Sequence, residues 1–171
     1  MLLAIDTATR TASVALYDAS GVLAEQSWRS DNRHTVEVAP AIAAMLDRLG
    51  RGPEALRGVA VAVGPGSFTG LRIGISLAKG LCLALRVPIL GVPSLDVAAY
   101  AAGDPGGPVV AVLEAGRGRI CVARYRFEDG LPTLEGEMSL VRSTEWTPAF
   151  DALTLVAGEV SPELAEHLLS L

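Results

Sequence analysis

A glycine-rich segment in the middle of the chain constrains the fold more than any other feature. The segment Gly64-Pro65-Gly66-Ser67-Phe68-Thr69-Gly70 lies between the β-branched run 59–63 and the apolar stretch 71–85. The run is typical of a strand covered on both faces. The stretch after it has the length of a helix, which ends at Arg86-Val87-Pro88. A buried strand, a glycine loop and a long helix in this order predict an α/β fold.

The glycine loop has two interpretations, phosphate binding and close packing. Glycines let backbone N–H groups face an anion, and a helix N-terminus adds partial positive charge. A Walker A loop needs Gly-Lys-Ser/Thr, whereas Gly70 is followed by Leu71-Arg72, and a dinucleotide fingerprint needs glycine in place of Thr69. The spacing therefore also fits a tight turn that packs a helix on a strand. The candidate phosphate- or nucleotide-binding residues of the loop are Gly64, Gly66, Ser67 and Thr69.

A second candidate for the same site follows the first apolar run, residues 2–5. Asp6, Thr7 and Thr9 come directly after it. A carboxylate and hydroxyls at the carboxyl end of a strand are typical of places where Mg²⁺ and phosphates are held in α/β sheets. The same residues also fit an Asp/Thr turn that caps a hairpin, and the sequence leaves both interpretations open.

Two predicted helices carry the candidate contact surface. Gly70, Gly74 and Ala78 form a ridge of small residues at four-residue spacing, and residues 36–49 repeat apolar positions at helical spacing. A small-residue ridge fits close packing inside the chain and close packing against a partner equally well. The candidate partner-interface residues are Val36, Ala39, Ala43 and Leu46 on the first helix, and Gly70, Ile73, Gly74, Leu77, Ala78 and Leu81 on the second.

The breaker cluster Gly103-Asp104-Pro105-Gly106-Gly107-Pro108 predicts a boundary between two lobes, 1–103 and 104–171. Ser94 is expected to cap a helix before this boundary. Strands are predicted at 2–5, 11–17, 22–28, 59–63 and 89–92, then at 109–113, 120–127, near 133–141 and at 153–157, with a last helix opening at 161–163.

The charge balance excludes some function classes. The formal net charge is −5, and a domain that grips nucleic acid through its phosphates is usually basic. A stand-alone nucleic-acid binder is therefore disfavoured. Four arginines form a local basic patch on one predicted hairpin, which is interpreted as a solvated face. They are Arg117, Arg119, Arg124 and Arg126.

No catalytic or metal-binding pattern stands out in the sequence. Cys82 and Cys121 are far apart and are interpreted as small buried hydrophobes, and His34 is interpreted as a surface or capping residue. No secretory signal is visible, and Lys79, Arg86 and Pro88 interrupt the most apolar stretch. A soluble cytoplasmic protein without a membrane span is expected.

Several motifs, in order along residues 1 to about 125, resemble the TsaB (YeaZ) family. They include residues 3–9, Arg33-His34-Thr35, and the stretch 64–74 that opens with the glycine loop. Gly91-Val92-Pro93-Ser94-Leu95 continues the match, and Glu114-Ala115-Gly116-Arg117-Gly118 is similar to the family's Asp-Ala-Arg turn. The stretch 64–74 is the most specific of these motifs.

The resemblance implies an actin-like, Hsp70/sugar-kinase type of fold with two ribonuclease H-like lobes, the second shortened. It also implies a non-catalytic partner in making threonylcarbamoyladenosine beside the tRNA anticodon. The implied partners are TsaD-like and TsaE-like proteins, with tRNA reached indirectly through the complex and a homodimer when the chain is alone. The chain itself is expected to need no cofactor, whereas ATP with Mg²⁺ is compatible with the complex.

The catalytic paralogue TsaD carries a His-x-x-x-His metal pair soon after a Gly-Val dipeptide. The corresponding positions after Gly91-Val92 resemble Ser94 and Ala98, which cannot replace two imidazoles. No metal site and neither transferase nor metalloprotease activity is therefore expected. The alternative is an ATP-dependent phosphotransferase of the same fold, with Asp6, Thr7 and Thr9 near Mg²⁺ and the loop near phosphate.

Overall fold

The computed structural model of the protein describes residues 1–30, 33–150 and 153–170. The chain divides into two compact units, Met1–Val92 and Pro93–Leu171, which are described separately. The elements of the first unit are β1 (Leu2–Asp6), β2 (Thr11–Asp18), β3 (Gly21–Arg29), α1 (His34–Arg48), β4 (Gly58–Gly64), α2 (Phe68–Leu85) and β5 (Ile89–Pro93). Those of the second are α3 (Ser94–Ala102), β6 (Val109–Glu114), β7 (Arg119–Glu128), β8 (Leu131–Arg142), β9 (Leu155–Gly158) and α4 (Pro162–Leu169).

The first unit is built on a five-stranded sheet of order β3-β2-β1-β4-β5. The first three strands form an antiparallel meander, and β1 also pairs in parallel with β4, with Ile5 opposite Val14 on one side and Val61 on the other. The two parallel neighbours β1 and β4 therefore end at the same edge of the sheet. This edge holds the turn after β1 and the glycine loop after β4.

Both long helices of the first unit pack on one face of its sheet. Alternate residues of β1 are buried, because Leu3 and Ile5 face the helices while Leu2 and Ala4 are exposed. One core cluster joins these strand residues with Val38 and Ile42 of α1 and with Ala78 and Cys82 of α2. The alternation is the pattern of a sheet with one covered face.

The second unit repeats the strand order with different cover. Its sheet has the order β8-β7-β6-β9, with β6 antiparallel to β7 and parallel to β9. The five residues from Val109 to Leu113 are all buried. One core cluster contains Leu95 and Ala99 of α3, and another contains Leu164 of α4, so helices cover both faces of β6.

Helix α2 is also apolar enough to span a membrane by length and composition. Among the described residues it is the one such helix, with 18 residues and a mean hydropathy of 1.4. Core helices of soluble proteins pass the same test. The small residues of α2 (Gly70, Gly74, Ala78 and Cys82) are buried, and the helix contacts β4 and β1, so one side of it packs on the sheet of the first unit.

The predicted α/β class is confirmed, and three details differ. The predicted lobe boundary at 103 lies beyond α3, whereas contacts of α3 with β6 and β9 place that helix in the second unit. Ser94 is the buried first residue of α3 and does not cap it, since Pro93 occupies the N-cap. The strand covered on both faces is β6, whereas β4 leaves Val63 47% exposed.

Candidate functional site

The glycine loop closes directly on the turn that follows β1. The amide of Ser67 donates to the carbonyl oxygen of Ala8 at 2.6 Å, and the Thr7 hydroxyl donates to the carbonyl oxygen of Gly70 at 2.8 Å. Thr7 is 1% exposed. The structure therefore brings together the two halves of the phosphate site that the sequence suggested, and fastens them to each other.

Glycines at this contact are required by close approach of the backbone. A Cβ at Gly70 would overlap the carbonyl oxygen of Thr7, and a Cβ at Gly66 would overlap that of Ala8. A Cβ at Gly74, one helical turn further on, would overlap the Thr7 hydroxyl. The packing interpretation of the loop thus has a specific physical basis: only glycine lets α2 approach β1 this closely.

The polar groups of the predicted phosphate site have partners within the chain. Ser67 is the N-cap of α2, where its Oγ accepts from the amide of Gly70 at 3.2 Å. Thr9 Oγ1 donates to the carbonyl oxygen of Thr11 and accepts from its amide, at 3.0 and 3.1 Å. Gly64 has a φ of +106° and makes a turn of the chain out of β4. Thr69 is exposed on the first turn of α2.

Asp6 is the one carboxylate of the predicted phosphate site. Its Oδ1 accepts from the amide of Ala8 at 2.8 Å, which fixes the turn after β1. Burial raises the pKa of Asp6, while this hydrogen bond and the nearby His34 act in the opposite direction. A carboxylate whose pKa is raised by burial occurs both in binding sites and in buried turns, so this property does not distinguish the two interpretations. Among the described residues, no group of three or more His, Cys, Asp or Glu side chains could hold a metal ion.

Four of the predicted interface residues lie inside the fold and are corrected here. Gly70, Gly74 and Ala78 form the inner side of α2, against β1, and Leu46 of α1 is 4% exposed in the same core. The small-residue ridge therefore serves packing of α2 on its own sheet. Sequence spacing alone could not decide between core and partner, because both require the same residue sizes.

The remaining predicted interface residues lie nearer the surface of the two helices, although Leu77 and Leu81 also pack against the core cluster. Val36 is 61% exposed, Ala39 and Ala43 are exposed, and Ile73, Leu77 and Leu81 are half-buried. A groove of about 500 Å³ runs between the helices, with Ala39, Ile73 and Leu77 in its lining. The other lining residues are His34, Thr35, Phe68, Thr69, Arg72 and Ser76.

Phe68 and Arg72 are the groove residues that sequence reasoning missed. Phe68 is 68% exposed, and the Arg72 guanidinium lies 4.0 Å from the centre of its ring. Such a cation–π pair holds the ring in place on the surface. The sequence did contain a signal for this pair: Phe68 lies among glycines and hydroxyl residues, and an arginine follows it four residues later, one turn along a helix.

His34 is buried, at 4% exposed, and is not the surface residue that the sequence suggested. It occupies the first turn of α1, whose N-cap, Arg33, makes no side-chain capping bond. Within the described part of the chain, Nδ1 of His34 is buried without a hydrogen-bond partner. The ring lines the groove at the end where both helices begin.

The chain is thus an α/β protein of two units, with a glycine loop fastened to the turn after the first strand. A profile of the TsaD family, described as tRNA N6-adenosine threonylcarbamoyltransferase, matches residues 8–138. The chain belongs to this family. The resemblance to TsaB (YeaZ) proteins within it is confirmed by the relatives described next.

Two relatives are named tRNA threonylcarbamoyladenosine biosynthesis protein TsaB. The one from Bacillus subtilis is 36% identical over 130 residues, which cover 76% of this chain and 57% of that protein. The one from Escherichia coli is 37% identical over 133 residues, with the same coverage of each chain. The match thus spans just over half the length of these relatives. The solved structure of YeaZ from Pseudomonas aeruginosa superposes with a TM-score of 0.86 at 28% identity, covering 98% of this chain and 79% of that one.

Proposed function

We propose that this chain is a non-catalytic partner subunit of a tRNA threonylcarbamoyladenosine modification complex. In this role it scaffolds or activates a TsaD-like transferase and works beside a TsaE-like protein in the cytoplasm. The support from relatives is that the proteins from Bacillus subtilis and Escherichia coli are named for this biosynthesis. ATP and Mg²⁺ would then be used in the complex and not by this chain alone.

The observation that carries the proposal is the apolar groove between α1 and α2. Phe68 lines this groove and is 68% exposed, and Val36, next in sequence to the lining residue Thr35, is 61% exposed. Exposed apolar side chains that are grouped at a groove mark interaction sites, whereas apolar residues exposed singly do not. Aromatic residues beside a groove are typical anchors of protein interfaces. A partner helix that fills the groove would remove this apolar surface from water.

The proposal is tested by reconstitution. TsaD and TsaE homologues are combined with tRNA, with and without this chain, and modified tRNA is measured. Omission of the chain is expected to reduce the product strongly. Product formation that is unaffected by omission would mean that the chain has no part in the reaction.

A charged substitution in the groove tests the docking surface itself. Phe68→Glu is expected to weaken binding to the TsaD homologue by at least about tenfold, because an interface anchor contributes 2 kcal/mol or more. Leu83→Glu is the matched control, since Leu83 lies on the same helix, is 80% exposed and does not line the groove. Charged variants of Gly74 or Ala78 are unsuitable because both residues are buried. Equal binding by the Phe68 and Leu83 variants would contradict docking at the groove.

The alternative, an ATP-dependent phosphotransferase, has less support. The hydroxyls of Thr7 and Ser67, which would meet phosphate or Mg²⁺, are already bonded to backbone groups of α2. Calorimetry with Mg-ATP on the chain alone discriminates between the two functions. Tight binding, lost in Asp6→Asn, would favour the phosphotransferase.

A further inference from the structure

The arginines of the second unit form two groups with different partners. This unit contains five basic residues against twelve acidic ones. Arg124 and Arg126 both bind Glu135 of the neighbouring strand β8, with Arg124 Nε 3.1 Å from Oε2. The four-arginine patch expected from sequence is thus divided, because two of its members share one carboxylate within the sheet.

The other group is an exposed arginine tip, defined as Arg117, Arg119 and Arg142. Arg117 and Arg119 lie at the turn between β6 and β7, and Arg142 is the last residue of β8. Throughout residues 1–30, 33–150 and 153–170, no carboxylate forms an ion pair with Arg117 or Arg119. Arg142 lies 3.8 Å from Glu145, but both side chains are about 70% exposed, so this pair is weak.

Register places two of these arginines directly opposite each other. Arg119 of β7 and Arg142 of β8 are paired residues in the antiparallel ladder. Like charges in this position repel and destabilise the sheet. A bound anion between the two guanidinium groups would turn the repulsion into attraction, which gives the pair a physical reason to exist.

The backbone conformation at Arg117 is a further feature of the arginine tip. Its φ is +56°, between Gly116 at +69° and Gly118 at +67°. A side chain other than glycine is strained here. The turn is nevertheless held firmly, since Ala115 donates to the carbonyl oxygen of Arg119 at 2.8 Å and Ser143 donates to that of Gly118 at 3.0 Å. The chain thus carries a long cationic side chain at a strained position of a fixed turn.

Acidic groups are also present near the base of this turn. Glu114 ends β6, and its amide donates to Oε2 of Glu159 at 3.0 Å. These carboxylates, and the excess of acidic residues in the second unit, repel anions. Attraction for an anion is therefore confined to the three guanidinium groups of the arginine tip.

We propose that the arginine tip binds phosphodiester groups of RNA. The proposal rests on the proposed function, which brings a tRNA to the complex, and adds a direct contact that this function does not require. Guanidinium groups suit phosphate because they donate two parallel hydrogen bonds to its oxygens. The interpretation as a solvated face then applies to Arg124 and Arg126, but not to Arg117 and Arg119.

The test uses the full chain in the reconstituted complex and fluorescently labelled tRNA. Binding is measured by anisotropy at several salt concentrations for R117Q/R119Q and for R124Q/R126Q, which removes the same charge from the same unit. The tip variant is expected to bind tRNA about tenfold more weakly, and the slope of log K against log salt should fall by about 2, since each phosphate contact contributes about 0.9. The control should change binding less than about twofold. R117K/R119K keeps the charge and should retain most of the binding.

Unchanged affinity and an unchanged salt slope in R117Q/R119Q would overturn the proposal. So would a loss of Mg-ATP binding in calorimetry with tRNA binding intact, because the tip would then hold nucleotide phosphate. Omission of the wild-type chain separately tests the proposed function. If omission leaves modification unchanged, that function fails, and the same titration on the isolated chain then decides for or against the tip.

Discussion

The sheets of the two units have the same strand order, apart from the additional edge strand β5 of the first, but helices cover them differently. In both, a central strand pairs antiparallel with the next strand along the chain and in parallel with a later one. In the first unit α1 and α2 share one face of the sheet, whereas in the second α3 and α4 take opposite faces. The difference teaches that strand order does not determine the number of layers. The positions of the helices determine the number of layers. The central strands reflect this, since alternate residues are buried in β1 and consecutive residues are buried in β6.

The units also differ in charge. Met1–Val92 contains nine basic and seven acidic residues, whereas Pro93–Leu171 contains five and twelve. The net charge of −5 is therefore the sum of a slightly basic and a strongly acidic unit. The unit that carries the arginine tip is thus the more acidic of the two, so any contact with nucleic acid there depends on the local guanidinium groups and not on the charge of the unit.

The largest expected effect comes from neighbouring residues on the two central strands. In β1, Leu3→Ala should destabilise the first unit by about 3 kcal/mol and Leu2→Ala by well under about 1 kcal/mol, because only Leu3 faces the core. In β6, Leu113→Ala should cost about 3 kcal/mol and Val112→Ala about 2 kcal/mol, since both faces are covered. Urea unfolding measures all four. Similar effects for Leu2 and Leu3 would contradict the one-sided cover of β1.

Tryptophan fluorescence separates the units in these experiments. The chain contains two tryptophans, Trp28 on β3 and Trp146 after β8, so each unit carries one. Trp28→Phe leaves the second unit's signal, and Trp146→Phe leaves the first unit's. A substitution in β1 should first move the signal of Trp28.

A smaller effect is expected at the contact between the glycine loop and β1. Gly70→Ala should destabilise the first unit by about 2 kcal/mol, because the new Cβ would overlap the backbone of Thr7 and displace α2. Gly80→Ala on the same helix should stabilise it by about 0.5 to 1 kcal/mol, since its Cβ would meet no atom within 4 Å. Thermal and urea unfolding compare the two. Equal stability of both variants would mean that α2 is not held closely to β1.

Each unit also has a polar contact between its sheet and a helix, and these should differ in strength. The hydroxyl of the buried Tyr125 donates to Oδ1 of Asp96 on α3 at 2.7 Å, and burial together with that carboxylate raises the pKa of Tyr125 well above its usual value. Tyr125→Phe should cost about 1.5 kcal/mol, as for other hydrogen bonds to charged groups. In the first unit Trp28 Nε1 donates to Glu37 Oε2 at 3.0 Å, and the lost contact in Trp28→Phe should cost less because Trp28 is only half-buried, whereas Tyr125 is 2% exposed. Urea unfolding of the two variants measures the loss of unfolding free energy. A larger loss in Trp28→Phe than in Tyr125→Phe would contradict the expected order.

The smallest expected effect is the pH dependence of Asp6. Because burial raises its folded pKa above the unfolded value, ionisation of Asp6 opposes folding, and stability falls as pH rises through the window between the two values. Asp6→Asn should keep the bond from Ala8 and give a modest gain in stability at pH 7 that disappears below about pH 4, where both side chains are neutral. Urea midpoints of the Trp28 signal at both pH values measure this. A loss of stability at pH 7 would show that the charge of Asp6 is compensated locally.

Much of the fold was predictable because local patterns were strong. The apolar runs at 2–5 and 109–113 became β1 and β6, and the helix expected at 71–85 begins three residues earlier, at Phe68. The early start was not visible because Phe68 to Gly70 looks like loop, whereas the Ser67 side chain caps the helix there.

The candidate site was less predictable, because the sequence gives residue types but not which neighbours they meet. Asp6, Thr7 and the glycine loop were correctly grouped, but the bond from Thr7 to Gly70 spans 63 residues and no local pattern encodes it. The direction of the small-residue ridge was undetermined for the same reason. Phe68 was overlooked because the loop 64–70 was interpreted through its glycines and backbone N–H groups, and not through its side chains.

The close fit of α2 on β1 also separates two kinds of evolutionary change. The inner side of the helix admits hardly any variation, because Gly70 and Gly74 meet backbone and hydroxyl atoms of Thr7. The outer side, with Phe68 and Ile73, carries no such restriction. If the groove docks a partner as proposed, substitutions there would alter which partner is recognised without disturbing the scaffold, and recognition would diverge between lineages while the architecture of the unit is inherited unchanged.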